Sequence, residues 1–160
     1  MKFTKSHKAY MQLAISEARK NLLTPDGGPF GAVIVKGNNV VAVSRNTVLK
    51  ADASCHAEVN AIRVASKKLK TYDLSGCRIY STTEPCPMCF SAIHWARIDT
   101  IIYGNNIADA KKIGFNELSI SNVSMKKIGK AKIKIISGVL REECNRLFNE
   151  WSVSPDKQLY

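Results

Sequence analysis

The stretch Thr83-Glu84-Pro85-Cys86-Pro87-Met88-Cys89 places two thiols three positions apart, behind a proline and ahead of a run that reads as helix. At that spacing both sulfurs lie on one helical face, close enough to share a metal ion. A helix N-terminus favours negative charge, so it lowers thiol pKa values and presents thiolates. Two thiolates leave a metal site unfinished. The third ligand is expected in His56-Ala57-Glu58, thirty positions upstream, which also opens a helical pattern. The fold must therefore bring two helix starts together at one place, with a β-branched strand, Arg78–Thr82, between them in sequence.

One imidazole and two thiolates give Zn²⁺ three protein ligands and leave a fourth position for water, which the ion makes nucleophilic near neutral pH. Glu58 is not a ligand in this reading. It takes the proton of the attacking water and passes it to a ring nitrogen and then to the departing amine. A lone C-x-x-C is shared with redox pairs and structural zinc knuckles. A closed structural site needs a fourth protein ligand, and the remaining cysteines are Cys55, Cys77 and Cys144. Cys55 adjoins His56 and is expected to point elsewhere; Cys77 falls in a strand and Cys144 in a late helix, where each reads as a small buried hydrophobe.

A length of 160 residues suits one domain with a full core. No apolar run approaches the length of a membrane span, and residues 1–20 lack the apolar segment of a signal peptide. The reading is a cytoplasmic protein with reduced thiols and no membrane partner. Net charge is +11, and residues 111–134 hold seven lysines against one acid, Glu117. Such a run either binds a nucleic-acid backbone or is a solvated face; the scarcity of aromatic residues within it favours the solvated face.

Apolar spacing at Ala9, Leu13, Ala14 and Ala18, flanked by Tyr10 and Ile15, predicts a helix over 6–21, with Ser6 as N-cap. Thr24–Pro29 closes it in a tight loop. Two β-branched runs, Ala32–Val35 and Val40–Val43, flank Gly37-Asn38-Asn39 and predict a hairpin. A second helix is expected from His56 to Leu69 with Val59, Ile62, Val64 and Ala65 on its apolar stripe, then strand 78–82, the cysteine helix 86–95, strand 100–103, a short helix at 107–113, strand 131–136 and a last helix 141–151 on Leu147, Phe148 and Trp151. Helix, hairpin, then alternating helix and strand describes an α/β fold, a mixed sheet with helices on both faces. In such sheets ligands gather beyond strand ends where helix N-termini converge, which is where both metal motifs fall.

His-x-Glu…Pro-Cys-x-x-Cys is the signature of zinc deaminases, and the whole chain resembles the cytidine deaminase-like superfamily. That resemblance implies a three-layer α/β/α sandwich around a five-stranded sheet and one Zn²⁺ per chain on His56, Cys86 and Cys89. Gly27-Gly28-Pro29-Phe30-Gly31-Ala32-Val33-Ile34-Val35-Lys36, His56-Ala57-Glu58-Val59, Glu84–Cys89 and Ala92-Ile93-His94-Trp95-Ala96-Arg97 resemble the bacterial guanine deaminases in particular. This implies conversion of guanine to xanthine and ammonia, with Phe30 and Trp95 as aromatic walls around the purine, Asn46 on its edge and Ala57 against it. Glu117 stands where those enzymes place an Asp that meets the leaving amino group. It also implies a homodimer, in which Tyr160 resembles a C-terminal tyrosine that reaches the partner's site, so that a segment of about 140–160 is a candidate for exchange between subunits. Ile93, Trp95 and Phe148 are the apolar residues expected at such an interface. His56–Arg63 and Ser137–Cys144 resemble the tRNA adenosine deaminases instead, and the lysine run suits tRNA, whereas Gly-Gly-Pro-Phe and the lack of a basic tail do not. A non-catalytic zinc scaffold is the third reading; an acid at Glu58 beside the ligands argues against it.

Overall fold

The computed structural model describes residues 5–155 and 157–160. Its centre is a five-stranded sheet in the order β2-β1-β3-β4-β5. Strand β1 (Gly31–Lys36) runs antiparallel to both its neighbours, β2 (Asn39–Arg45) and β3 (Cys77–Thr83), whereas β3, β4 (Thr100–Asn105) and β5 (Lys134–Ile136) are mutually parallel. The β1–β2 hairpin turns at Gly37, whose φ of 59° is the left-handed region that glycine enters without steric cost.

Both faces of the sheet are covered, which is why the central strands read as unbroken apolar runs. Ala32 and Ile34 of β1 face a core shared with Ile79, Ile101, Phe90 and Ile93, while Val33 and Val35 face a second core with Tyr80, Ile102, Met11 and Ile15. Helices α2 (Ala57–Leu69), α3 (Pro87–Trp95) and α5 (Asn122–Ile128) lie on the first face; α1 (Lys5–Arg19) and α6 (Arg141–Ser152) lie on the second, and α4 (Ile107–Lys112) follows β4. This is the three-layer α/β/α architecture expected from the sequence.

Several local expectations are corrected. Helix α1 already includes Ser6, so Ser6 does not cap it, and its buried stripe is Met11, Ala14, Ile15 and Ala18, with Leu13 turned to solvent. The buried stripe of α2 is Ala57, Ala61 and Ala65 with Glu58, and Val64 is exposed. Methyl groups at four-residue intervals let this helix lie close on the sheet, and that closeness outweighs the greater hydrophobicity of Val64. Helix α5 falls inside the lysine run; Ser121 caps it by accepting the Ser124 amide at 3.1 Å. Strand β5 begins at Lys134, because residues 129–133 carry the chain from α5 back to the sheet. Ile93 and Phe148 are core residues, buried to 0 % and 3 % exposure, and of the three expected interface residues only Trp95 is exposed. Among the described residues no helix is long and apolar enough to cross a membrane.

Candidate active site

Strand β3 ends at Thr83, and the chain passes through Glu84 and Pro85 into α3. Cys86 is the N-cap of α3 in an extended conformation, and Pro87 follows at the first helical position, where its missing N–H and fixed φ cost nothing. Cys89 therefore sits one turn in, on the same face as Cys86. His56 holds the equivalent place on α2: it is the extended N-cap, and its carbonyl accepts the Asn60 amide at 2.9 Å. Asn60 steadies this start by donating its side-chain amide to the Arg45 and Cys55 carbonyls and to the Thr47 hydroxyl, at 3.0, 3.2 and 2.9 Å.

The two helix starts meet. A ring nitrogen of His56 and the sulfurs of Cys86 and Cys89 lie within 4.8 Å of one another, and His56 Nδ1 is 3.6 Å from Cys86 Sγ. Tetrahedral zinc with bonds of about 2.0–2.3 Å sets its ligand atoms about 3.5–3.8 Å apart, so this donor set fits the ion with little adjustment. Cys55 is turned away as expected, its sulfur accepting a hydrogen bond from Arg63 Nη1 at 3.2 Å, and Cys77 and Cys144 are buried in the cores. No fourth protein ligand joins the trio among the described residues, which leaves one position open.

The electrostatics suit a cation. A hydrogen bond from the Cys89 thiol, with His56 beside it, holds Cys86 down at about 4, well inside the thiolate range, while the same pairing, burial and nearby Glu58 push Cys89 up. Burial opposes charge on His56, but its bond to Cys86 and the neighbouring acids prevail and raise it. Glu58, in the first turn of α2, is 6 % exposed; one carboxylate oxygen accepts from Ser81 Oγ at 2.9 Å and the other faces Cys89 Sγ at 3.5 Å. Burial raises its pKa, the direction a group that takes and returns a proton near neutrality requires.

A cavity of about 160 Å³ opens beside the trio, lined by His56, Cys86, Glu58, Glu117, Phe30 and Tyr160 together with Val48, Ala53, Thr83, Glu84, Phe115 and Asn116. Phe30 forms one wall, edge-on to Phe115 at 4.8 Å and to Phe148 at 5.8 Å. Glu117 is half-buried, and burial and the Cys86 charge push it up to about 7. Tyr160 folds back over its own chain: its hydroxyl accepts the Gly28 amide at 3.2 Å, and its ring packs on Phe115 at 5.4 Å. Asn46 is 1 % exposed, just behind this lining. Its Oδ1 accepts the Val48 amide at 3.1 Å, and its side chain lies against the Tyr160 hydroxyl. Ala57 turns its methyl into the helix–sheet core. Trp95 stands at the far end of α3, 77 % exposed and edge-on to His94, outside this cavity.

Ser81, Thr83 and Phe115 escaped the sequence reading. A signal for Ser81 existed: it is a hydroxyl on the core face of a strand that is otherwise apolar there, which marks a buried polar partner.

Residues 4–105 match the family model described as the cytidine and deoxycytidylate deaminase zinc-binding region. The guanine deaminase of Bacillus subtilis (strain 168) is 36% identical over 156 residues, 97% of this chain and 99% of that one. The tRNA-specific adenosine deaminase of the same organism is 34% identical over 143 residues, 88% of this chain and 84% of that one. A solved guanine deaminase from Nitrosomonas europaea superposes with a TM-score of 0.83 at 29% identity, covering 91% of this chain and 84% of that chain.

Proposed function

This chain belongs to the cytidine and deoxycytidylate deaminase zinc-binding family, and we propose that it hydrolyses the amino group of a free purine base, guanine to xanthine and ammonia. The observation that carries the choice is the cavity. About 160 Å³, with Tyr160 among its walls, suits one heterocyclic base better than a nucleotide, let alone a tRNA loop.

His56, Cys86 and Cys89 would hold the zinc ion, which when bound would supply a Lewis acid that lowers the pKa of water. The chain's own groups do the rest. Phe30 lies along one face of the ring, and its packing on Phe115 and Phe148 fixes that wall. Asn46, buried beside the Tyr160 hydroxyl just behind the lining, reads a polar atom on the base edge. Glu58 takes one proton from the water and gives it to a ring nitrogen, where it stays in the product, and then moves the second proton of that same oxygen to the leaving amine; Ser81 and the burial of the carboxylate hold it ready. Glu117, pushed up to about 7, meets the exocyclic amino group and carries protons at that end.

The tRNA reading draws on the lysine run, and the placement of that run weakens it. Lys126, Lys127, Lys130 and Lys132 line two surface hollows that share no residue with the cavity. A cytoplasmic homodimer completes the proposal, with Trp95 as the exposed apolar anchor between copies. Metal analysis and a panel of guanine, adenine, nucleosides and tRNA, read by ammonia release, test the assignment. Zinc at about one per chain with ammonia from guanine supports it; ammonia from tRNA alone overturns it in favour of the RNA enzyme.

A further inference from the structure

The turn that delivers Cys86 has little backbone with which to hold itself. Pro85 and Pro87 carry no N–H, so between Glu84 and Met88 only Cys86 has an amide donor. Yet this turn sets the position of a metal ligand. Its support comes from groups outside the ligand set. The Glu84 amide donates to the Asn105 carbonyl at 2.7 Å, fixing the turn to the end of β4. The Glu84 carboxylate, 7 % exposed, accepts the Asn122 amide on one oxygen at 2.8 Å and the Ile107 amide on the other at 3.2 Å. These two residues open α5 and α4, so one carboxylate satisfies an otherwise unpaired first-turn N–H from each helix. Asn122, fully buried, completes the pair: its side-chain Nδ2 donates to the Pro85 carbonyl at 2.6 Å, one residue before Cys86.

We propose that Glu84 and Asn122 are positioning residues for the metal centre, a reciprocal brace that locks the Glu84-Pro85-Cys86 backbone to α4 and α5 and so holds Cys86 at ligand distance. The inference rests on the zinc reading above and extends it to two residues outside the ligand set, Glu84 at the edge of the cavity and Asn122 behind it. The brace also explains why a helix as short as α5 is part of the site: its first residue grips the turn, while its lysines face solvent at the other end.

The test measures zinc retention and ligand geometry as well as turnover. Asn122→Asp keeps the shape but replaces the donor facing the Pro85 carbonyl with an acceptor, close to the Glu84 carboxylate. Glu84→Gln keeps one acceptor and turns an amide N–H₂ toward a helix amide. Each is expected to speed zinc loss to a chelator by roughly 10- to 100-fold, the range seen when outer hydrogen bonds of a metal site are broken. Each should also shift the thiolate-to-metal absorption of the cobalt-substituted protein. Ser121→Ala is the control, because it removes the cap of the same helix without touching the turn. Faster release in N122D and E84Q, with wild-type release in S121A, supports the brace. Wild-type release in whichever of the first two variants folds, or equally fast release in S121A, overturns it. A wild-type protein that takes up no zinc refutes the metal site itself, which is a different failure.

Discussion

Gly28→Ala should impair binding of the base while leaving the metal in place, and its size can be worked from the packing. A Cβ at Gly28 would stand 2.6 Å from Phe30 Cε2 and 2.7 Å from Phe115 Cζ. Carbon atoms in contact prefer about 3.5–4.0 Å, so the rings must together give way by roughly an ångström. Neither can retreat: Phe115 is stacked on Trp151 at 5.0 Å, and Phe30 abuts Phe148 at 5.8 Å. The free direction is into the cavity, which holds only about 160 Å³. Gly28 is not among the positive-φ glycines, so alanine meets no backbone strain and the effect is steric. Forcing one carbon into a packed site costs about 1–3 kcal/mol. Expressed as ring displacement, that raises KM for the base by roughly 5- to 150-fold. Expressed as strain, it lowers the unfolding temperature by roughly 2–12 °C in a domain of this size. Steady-state ammonia release, a thermal melt and zinc analysis on the same preparation read all three quantities. A variant with wild-type KM and wild-type melting refutes the argument that Phe30 and Phe115 form a wall with no room behind it.

Glu58→Gln should retain zinc and fold but lose at least about 10²–10⁴ in kcat, the usual contribution of general acid–base catalysis; near wild-type turnover would assign the proton transfer to another group. In protein stripped of metal, Glu117 lies at about 7 against an ordinary 4.5, so between those values the folded state keeps a proton that the unfolded state has released. Stability should therefore fall as pH rises across that window, with a slope of at most about 1.4 kcal/mol per pH unit, reduced by the solvent that reaches this half-buried side chain. Glu117→Gln should flatten that slope in denaturant titrations, and parallel curves for the two proteins would count against the shift. Replacing Lys126, Lys127 and Lys130 by glutamine together should leave guanine turnover and its response to salt unchanged, because a neutral base carries no phosphate; a flattened salt dependence would instead place a polyanion on that face.

The meeting of His56, Cys86 and Cys89, with Glu58 beside them, is legible in the sequence because helix spacing and helix-start chemistry are local, and local rules fix which side chains share a face. The hairpin was legible for the same reason, through its β-branched runs and a glycine turn. What escaped was decided by packing at a distance. The face that α2 buries is set by how closely it must approach the sheet, so Ala61 displaces Val64 from the core despite being the smaller hydrophobe. Helix α5 lies inside the lysine run, where charge masks its helical period, although Ser121 with Ser124 three residues on marks its start. Glu84 looked like part of a motif, and only the tertiary structure shows that its carboxylate reaches residues 107 and 122.

The three ligand residues span only positions 56 to 89, a helix–strand–helix unit built of α2, β3 and α3. An ion held there closes a loop of about thirty residues and leaves both ends of the chain outside the ring. Its stabilisation is therefore uneven. Amide exchange in the first turns of α2 and α3 and along β3 should slow sharply on metal loading, whereas α1 and α6, which reach the sheet from its other face, should respond only as far as global opening governs them. During folding, the same unit can capture the ion before either end of the chain has docked, so metal availability would set how early the central strand acquires its neighbours.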